Sequence, residues 1–354
     1  MNHLNNIAAK LPEYGLDAML ITSEAGERYA VGFHGEGLLL VTRSGAHYTT
    51  DGRYIEAARE RIAGAEVSLV SAGSGHLAQA RAYLEANGLH NVGFESGAMT
   101  VDAHRRYAQE LPCILTPAQA LLDTLRASKD GEEQDLMRRA QEITDEAFKA
   151  VLNFIRPGLT EREIAARLVY EMMSRGGEKV SFDPIVAAGP NGSRPHAVPG
   201  DLMVDTGMFI TMDFGCKVEG YCSDMTRTVA LGQPTQEMED VYAAVLAAQK
   251  AGINAARAGA PGSEVDEAGR RVLREAGFGD YFTHSFGHSL GLEIHESPNA
   301  SPGENRPLPA GAVISAEPGV YLPGRFGVRI EDVLILKEGG CEDITRSPKD
   351  LIVL

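Results

Sequence analysis

Five side chains in this sequence stand out for the chemistry they can do together. They are Asp213 in MDFG, Asp224 in CSDMTRT, His288 in HSFGHSLG, Glu317 in SAEPGVY and Glu331 in VRIED. Four carboxylates and one imidazole form a donor set that suits a pair of divalent first-row metal ions. Each lies in a short segment that reads as a strand or strand end, beside glycine or proline. Hydrolysis at a dinuclear metal site is the chemistry this set predicts.

The spacing of the acids adds geometry. Residues Phe209–Val229 have β-rich flanks around a turn-like centre, Lys217-Val218-Glu219-Gly220. With Val218-Glu219 as a two-residue hairpin loop, Asp213 faces Asp224, and opposed side chains have Cβ atoms about 4.5–5.5 Å apart. Two carboxylates that close repel unless a cation lies between them. The same pair also reads as unrelated surface aspartates, and a one-residue slip would put them on opposite faces. A second hairpin, Ala316–Leu322 and Phe326–Leu336 around Pro323-Gly324-Arg325, sets Glu317 opposite Glu331. Its apolar neighbours predict burial, and buried carboxylates need partners. Arg329 is a candidate partner for one of them.

The histidines extend the pattern. His284 and His288 flank a Phe-Gly step, and His295 follows in LEIHESP. Gly291–His295 alternates like a strand, so these rings are expected along one cleft. Ordinary polar strand residues would give the same pattern.

In order, MDFG, YCSDMTRT, HSFGHSLG with IHE, EPGVY and GVRIED resemble the Xaa-Pro peptidases, prolidase and aminopeptidase P, of the pita-bread metallopeptidases. SRPHAVP resembles the segment that carries an outer histidine of that site. The resemblance covers about Leu125 to Leu354, and the N-terminal part weakly. Ser285, where the family more often has glycine, and the adjacent Phe286 are departures that alter the pocket wall without removing a ligand.

The resemblance implies that Asp213 chelates one metal, that Asp224 and Glu331 bridge two, and that His288 and Glu317 complete the shells. A hydroxide between the ions would be the nucleophile, made available at neutral pH by metal coordination. Glu317 would also move the proton. His196 and His295 would polarise the carbonyl, His284 would line the proline pocket, and Arg329 would orient carboxylates. An Xaa-Pro bond is a tertiary amide with no N–H, so its site needs strong carbonyl activation and an apolar wall. Phe286, Leu290, Leu292 and Tyr321 are candidates for that wall, and each also reads as ordinary core packing. Arg194 and Arg325 are candidates to receive the free carboxylate of a dipeptide, and each also reads as an exposed loop arginine. The expected activity is therefore Xaa-Pro dipeptidase, with aminopeptidase P acting on longer peptides as the alternative. A methionine aminopeptidase is disfavoured by the N-terminal extension. A non-catalytic binding relative or a metal-free creatinase is disfavoured by the presence of all five ligands. Two divalent ions are expected, manganese first, with cobalt or zinc able to bind.

The rest of the chain must position these groups. Residues 1–125 alternate short helices and strands: Ala18–Thr22, Gly37–Thr42 and Val67–Val70 read as strands, and Ile55–Ile62 and Leu77–Asn87 as helices. That predicts a small α/β domain without a phosphate-binding loop, and the family resemblance implies that it is creatinase-like. Asp51-Gly52-Arg53-Tyr54 resembles an element of the family's N-domain and also reads as a turn into a helix. Residues 126–354 read helix, helix, strands, helix, helix, strands. Thr160-Glu161-Arg162-Glu163 is a capping box. The α+β fold expected is two α-β halves around a curved antiparallel sheet, as the pita-bread resemblance implies.

A formal net charge of −16 disfavours nucleic acid and anionic membranes as partners. Proline-containing peptides and a second copy of the chain, as a homodimer, are the partners expected. No apolar run of membrane-spanning length and no signal peptide is read. Four cysteines without a CxxC fit a reducing cytoplasm better than a disulfide framework.

Overall fold

The computed structural model describes residues 2–354, and the chain divides into two compact units, Met1–Arg126 and Ala127–Leu354. The first unit is built on a six-stranded mixed sheet. Its strand order is Glu66–Leu69, Ala46–Thr50, Leu38–Thr42, Ala18–Ile21, Asn91–Phe94 and Ile114–Pro117. The central strands Ala18–Ile21 and Leu38–Thr42 are buried throughout, as expected of near-continuous apolar runs. The turn Asp51–Tyr54 leads into the helix Ile55–Arg61, with Arg53 and Tyr54 both bonded to Glu36.

The second unit repeats one order of elements twice. Helices Gly131–Leu152 and Glu161–Ser174 precede the first strands, and Gln236–Ala255 and Gly262–Glu275 precede the second. Capping boxes start the first two helices. Asp130 with Glu133 and Thr160 with Glu163 each satisfy amides that the helix itself leaves open. Each half has its own apolar core, one around Phe148, Met172 and Phe214, the other around Val245, Phe286 and Ile330. Every ladder in this unit is antiparallel.

The first hairpin differs from its expected register. Lys217 pairs with Cys222 and Val218 with Tyr221, so Glu219-Gly220 is the loop. Both loop residues have positive φ, 47° and 88°. This is the backbone of a two-residue hairpin turn whose hand matches strand twist, and glycine suits it. Asp213 therefore faces Thr226, not Asp224. The shift is two residues, so Asp213 and Asp224 keep the same face. The second hairpin has the expected register. Gly319 pairs with Arg329 on one side of Glu317, and Ala316 pairs with Asp332 on the other, which leaves Glu317 opposite Glu331.

Arg227 joins the two halves. Its side chain is buried on the strand Met225–Leu231, and all five of its donors are filled. Nε donates to Pro348 O (2.9 Å), Nη1 to Thr226 O (2.9 Å) and Glu331 O (2.6 Å), and Nη2 to Ser347 O (2.8 Å) and Asp332 Oδ1 (2.7 Å). No helix is long and apolar enough to cross a membrane among the described residues.

Candidate metal centre

The hairpins and the short strand Gly287–Ser289 bring Asp213, Asp224, His288, Glu317 and Glu331 to one cleft of about 350 Å³. His196, His284, His295, Tyr321 and Arg329 line it too. Single ligand atoms of Asp224, His288 and Glu331 lie within 4.8 Å of one another. His288 Nε2 is 3.5 Å from Asp224 Oδ2 and 3.3 Å from Glu317 Oε1.

Hydrogen bonding decides what that imidazole offers. His288 Nδ1 is 3.2 Å from Ser289 O. A carbonyl only accepts, so Nδ1 carries the proton. Burial holds the His288 pKa below its usual value, so the ring is neutral and Nε2 presents a lone pair. That lone pair points at carboxylate oxygens, which when ionised also only accept. Asp213 Oδ1 and Asp224 Oδ1 are buried with no hydrogen-bond partner. Buried acceptors are ordinarily satisfied. Lone pairs converging from ionised carboxylates and a neutral imidazole fit cations, and these hard oxygen and nitrogen donors suit divalent ones.

The carboxyl groups feel the same crowding. Burial first, then Glu331, Asp213 and Glu317, pushes Asp224 well above the usual carboxylate range. Burial and then Glu317 and Asp213 do the same to Glu331. Glu317 is raised by burial, with His284 and Arg329 opposing.

A hydrogen-bond chain surrounds the acids. Arg329 Nη2 donates to Asp213 Oδ2 (2.6 Å), Nη1 to Tyr321 Oη (2.8 Å) and Nε to Thr226 Oγ1 (3.0 Å). Thr226 Oγ1 donates to Glu331 Oε2 (2.7 Å). His284 Nδ1 donates to Ser285 O (2.9 Å), which leaves Nε2 to accept from Tyr321 Oη (2.9 Å). Burial lowers the pKa of His284 and pushes that of Tyr321 up to about 12. His284 thus presents a neutral ring. His295 stands edge-on to His288, with ring centroids 4.5 Å apart.

Several expectations are corrected. Gly291–His295 is a bend, and the strand begins at Glu296. Gly291 N bonds Glu293 O within the bend, which curls the segment. Phe286, Leu290 and Leu292 are buried but do not line the cleft. The Phe286 ring fills the space over Gly252 and Gly269, where a Cβ would come within 2.1–2.6 Å of it. Phe182, Ile185 and Ile294 form the apolar wall with Tyr321. Ile185 reaches the cleft because its strand pairs it with Asp213, a long-range contact that no local pattern announces. Thr226 was legible, two residues from Asp224 and so on the same face. Ser285 lies in the wall, as its departure from glycine suggested. Arg194 lines a separate cavity with Glu161 and Asn191, and Arg325 pairs with Glu237, so neither faces the cleft.

Residues 135–338 match the model of metallopeptidase family M24, and residues 3–128 match the creatinase/prolidase N-terminal domain. The chain belongs to metallopeptidase family M24. It is 39% identical to "Uncharacterized peptidase YqhT" of Bacillus subtilis, over 100% of this chain and 99% of that one. An Xaa-Pro dipeptidase from Bacillus anthracis superposes with a TM-score of 0.96 at 37% identity, covering 99% of each chain. An X-Pro aminopeptidase from Thermotoga maritima superposes with a TM-score of 0.92 at 35% identity, covering 96% of this chain and 98% of that one. The fold is therefore the one expected, a small α/β domain followed by a pita-bread domain. The relatives' names cover both dipeptidases and aminopeptidases.

Proposed function

We propose that this M24 metallopeptidase hydrolyses the Xaa-Pro bond of short peptides at a centre of two divalent ions, manganese by preference. The observation that carries this is the meeting of the bare Nε2 of His288 with the unpartnered oxygens of Asp213 and Asp224. In this reading Asp213, Asp224, His288, Glu317 and Glu331 would hold the ions. Such ions, when bound, acidify a water and polarise the substrate carbonyl.

The chain's own residues do the rest. Glu317, whose pKa burial raises, accepts and returns the proton. His196 and His295 face the cleft as donors to the carbonyl oxygen, where developing negative charge is best stabilised by fixed dipoles. His284, locked neutral between Ser285 and Tyr321, offers a ring face rather than a charge to the proline ring. Phe182, Ile185 and Ile294 add the apolar surface that a tertiary amide without N–H requires. The four unbridged cysteines suit a reducing cytoplasm, and the family resemblance implies a homodimer.

Release of N-terminal alanine from Ala-Pro and Ala-Pro-Ala, with Ala-Ala as control, tests the reading after Mn²⁺ addition. Cleavage confined to the Xaa-Pro peptides is expected. No Xaa-Pro cleavage with Mn²⁺, Co²⁺ or Zn²⁺ would refute it. The expected dipeptide preference was tied to Arg194 or Arg325. Since neither faces the cleft, Arg194→Ala and Arg325→Ala should leave the ratio of kcat/KM for the two peptides unchanged.

A further inference from the structure

Beneath the bend that carries His295 lies an ion pair that the chemistry above does not use. Lys129 Nζ is 3.0 Å from Glu296 Oε2, and the two side chains are 1% and 5% exposed. Such a pair is a weak source of stability, because desolvation offsets most of the attraction and apolar residues of similar volume often do as well. Its placement gives it another use. Glu296 directly follows His295, and its Oε1 accepts the Glu293 N–H at 3.1 Å. Lys129 is itself fixed, donating its N–H to Gly311 O and accepting from Gln134 Nε2 at its carbonyl. The bend lies directly on the pair: a Cβ at Gly291 would come within 2.8–2.9 Å of both Glu296 oxygens and Lys129 Cε. From the other side, Cys222 N–H donates to Gly291 O and Lys217 Nζ to Leu292 O. Ile294 and His295 are the bend residues that face the cleft.

We propose that the buried Lys129–Glu296 pair is a clamp that positions His295, fixing the bend so that the imidazole is presented edge-on to His288. This rests on the reading of His295 as a donor to the substrate carbonyl. The clamp acts through His295 and touches no substrate, so Lys129 and Glu296 are positioning residues.

The test replaces both partners together, Lys129→Met with Glu296→Leu, so that no lone charge is left buried. The variant should fold, keep its metal content and lose roughly 10–100-fold in kcat on Ala-Pro, with KM nearly unchanged, as misplacement of one reacting group does. In a His295→Ala background the same double substitution should cause no further loss. The His295 ring resonances, identified by their disappearance in His295→Ala, should shift in the clamp variant. That readout stands whether or not Xaa-Pro peptides are the substrate. Wild-type enzyme inactive on Xaa-Pro peptides, with the resonances still shifting in the variant, would overturn the functional reading and leave the clamp standing. Unshifted His295 resonances, wild-type kcat in the variant, or a loss that adds to that of His295→Ala would each overturn the clamp. If the double variant does not fold, Glu296→Gln keeps the size and an acceptor for Glu293, and should show smaller changes of the same kind.

Discussion

Replacing Asp224 by asparagine should make the metal-free protein more stable and the metal-loaded protein less so. The ligand atoms of Asp224 and Glu331 lie within 4.8 Å of each other. Two full charges at that separation repel by about 3.5 kcal/mol at an effective dielectric of about 20. Protons held by the raised carboxyl groups relieve part of this, leaving an expected gain of about 1–3 kcal/mol for the metal-free variant near pH 8. The sign follows from linkage. A carboxyl group whose folded pKa is raised binds its proton more tightly in the folded state, so stability falls as pH rises from the unfolded value through the folded one. Asp224, Glu331 and Glu317 all shift in that direction. The advantage of Asp224→Asn should therefore close toward pH 4, where Asp224 is itself neutral. Metal acts oppositely. At a hundredfold excess over Kd it adds about 2.7 kcal/mol to wild type, and the variant should lose that gain. Differential scanning fluorimetry with and without chelator, from pH 4 to 8, reads both effects at roughly 2–4 °C per kcal/mol. A metal-free variant that melts below wild type at pH 8, or equal Mn²⁺-induced shifts in the two proteins, would refute the reasoning.

His196→Ala and His295→Ala should keep full metal content and lose on the order of 10²–10³ in kcat. His288→Ala should instead lower metal occupancy, and metal analysis of the purified variants separates the two cases. Arg329→Met leaves Asp213 Oδ2 without its buried donor, so it should destabilise the protein by about 3–5 kcal/mol, measured by urea denaturation, and metal should recover part of the loss.

The site was legible in the sequence where side-chain type and strand alternation determine it. All five expected ligands meet in one cleft, and the second hairpin has its expected register because Pro323-Gly324-Arg325 leaves only one compact loop. The first hairpin slipped because the turn is fixed by backbone conformation: Glu219 joins Gly220 in the left-handed region, which hydropathy does not signal. The error was harmless to the site only because strand faces repeat every two residues. The wall was misread for a different reason. Phe286 is near the metal histidine in sequence, but its ring is drawn into the second core by the space over Gly252 and Gly269. Arg194 and Arg325 failed as carboxylate receptors because loop residues have no periodicity from which to read a direction. Arg227 was quoted only as part of a motif, since its five acceptors come from segments far apart in the chain.

Those five acceptors have a consequence for how the centre is braced. Two are the carbonyls of Ser347 and Pro348, in the segment that follows the last strand, so a stretch remote from every candidate ligand holds the same guanidinium that bonds Glu331 O. Loosening that stretch would leave buried donors unfilled beside a candidate ligand, and an unfilled buried donor is costly. Damage there is expected to reach the site without touching it.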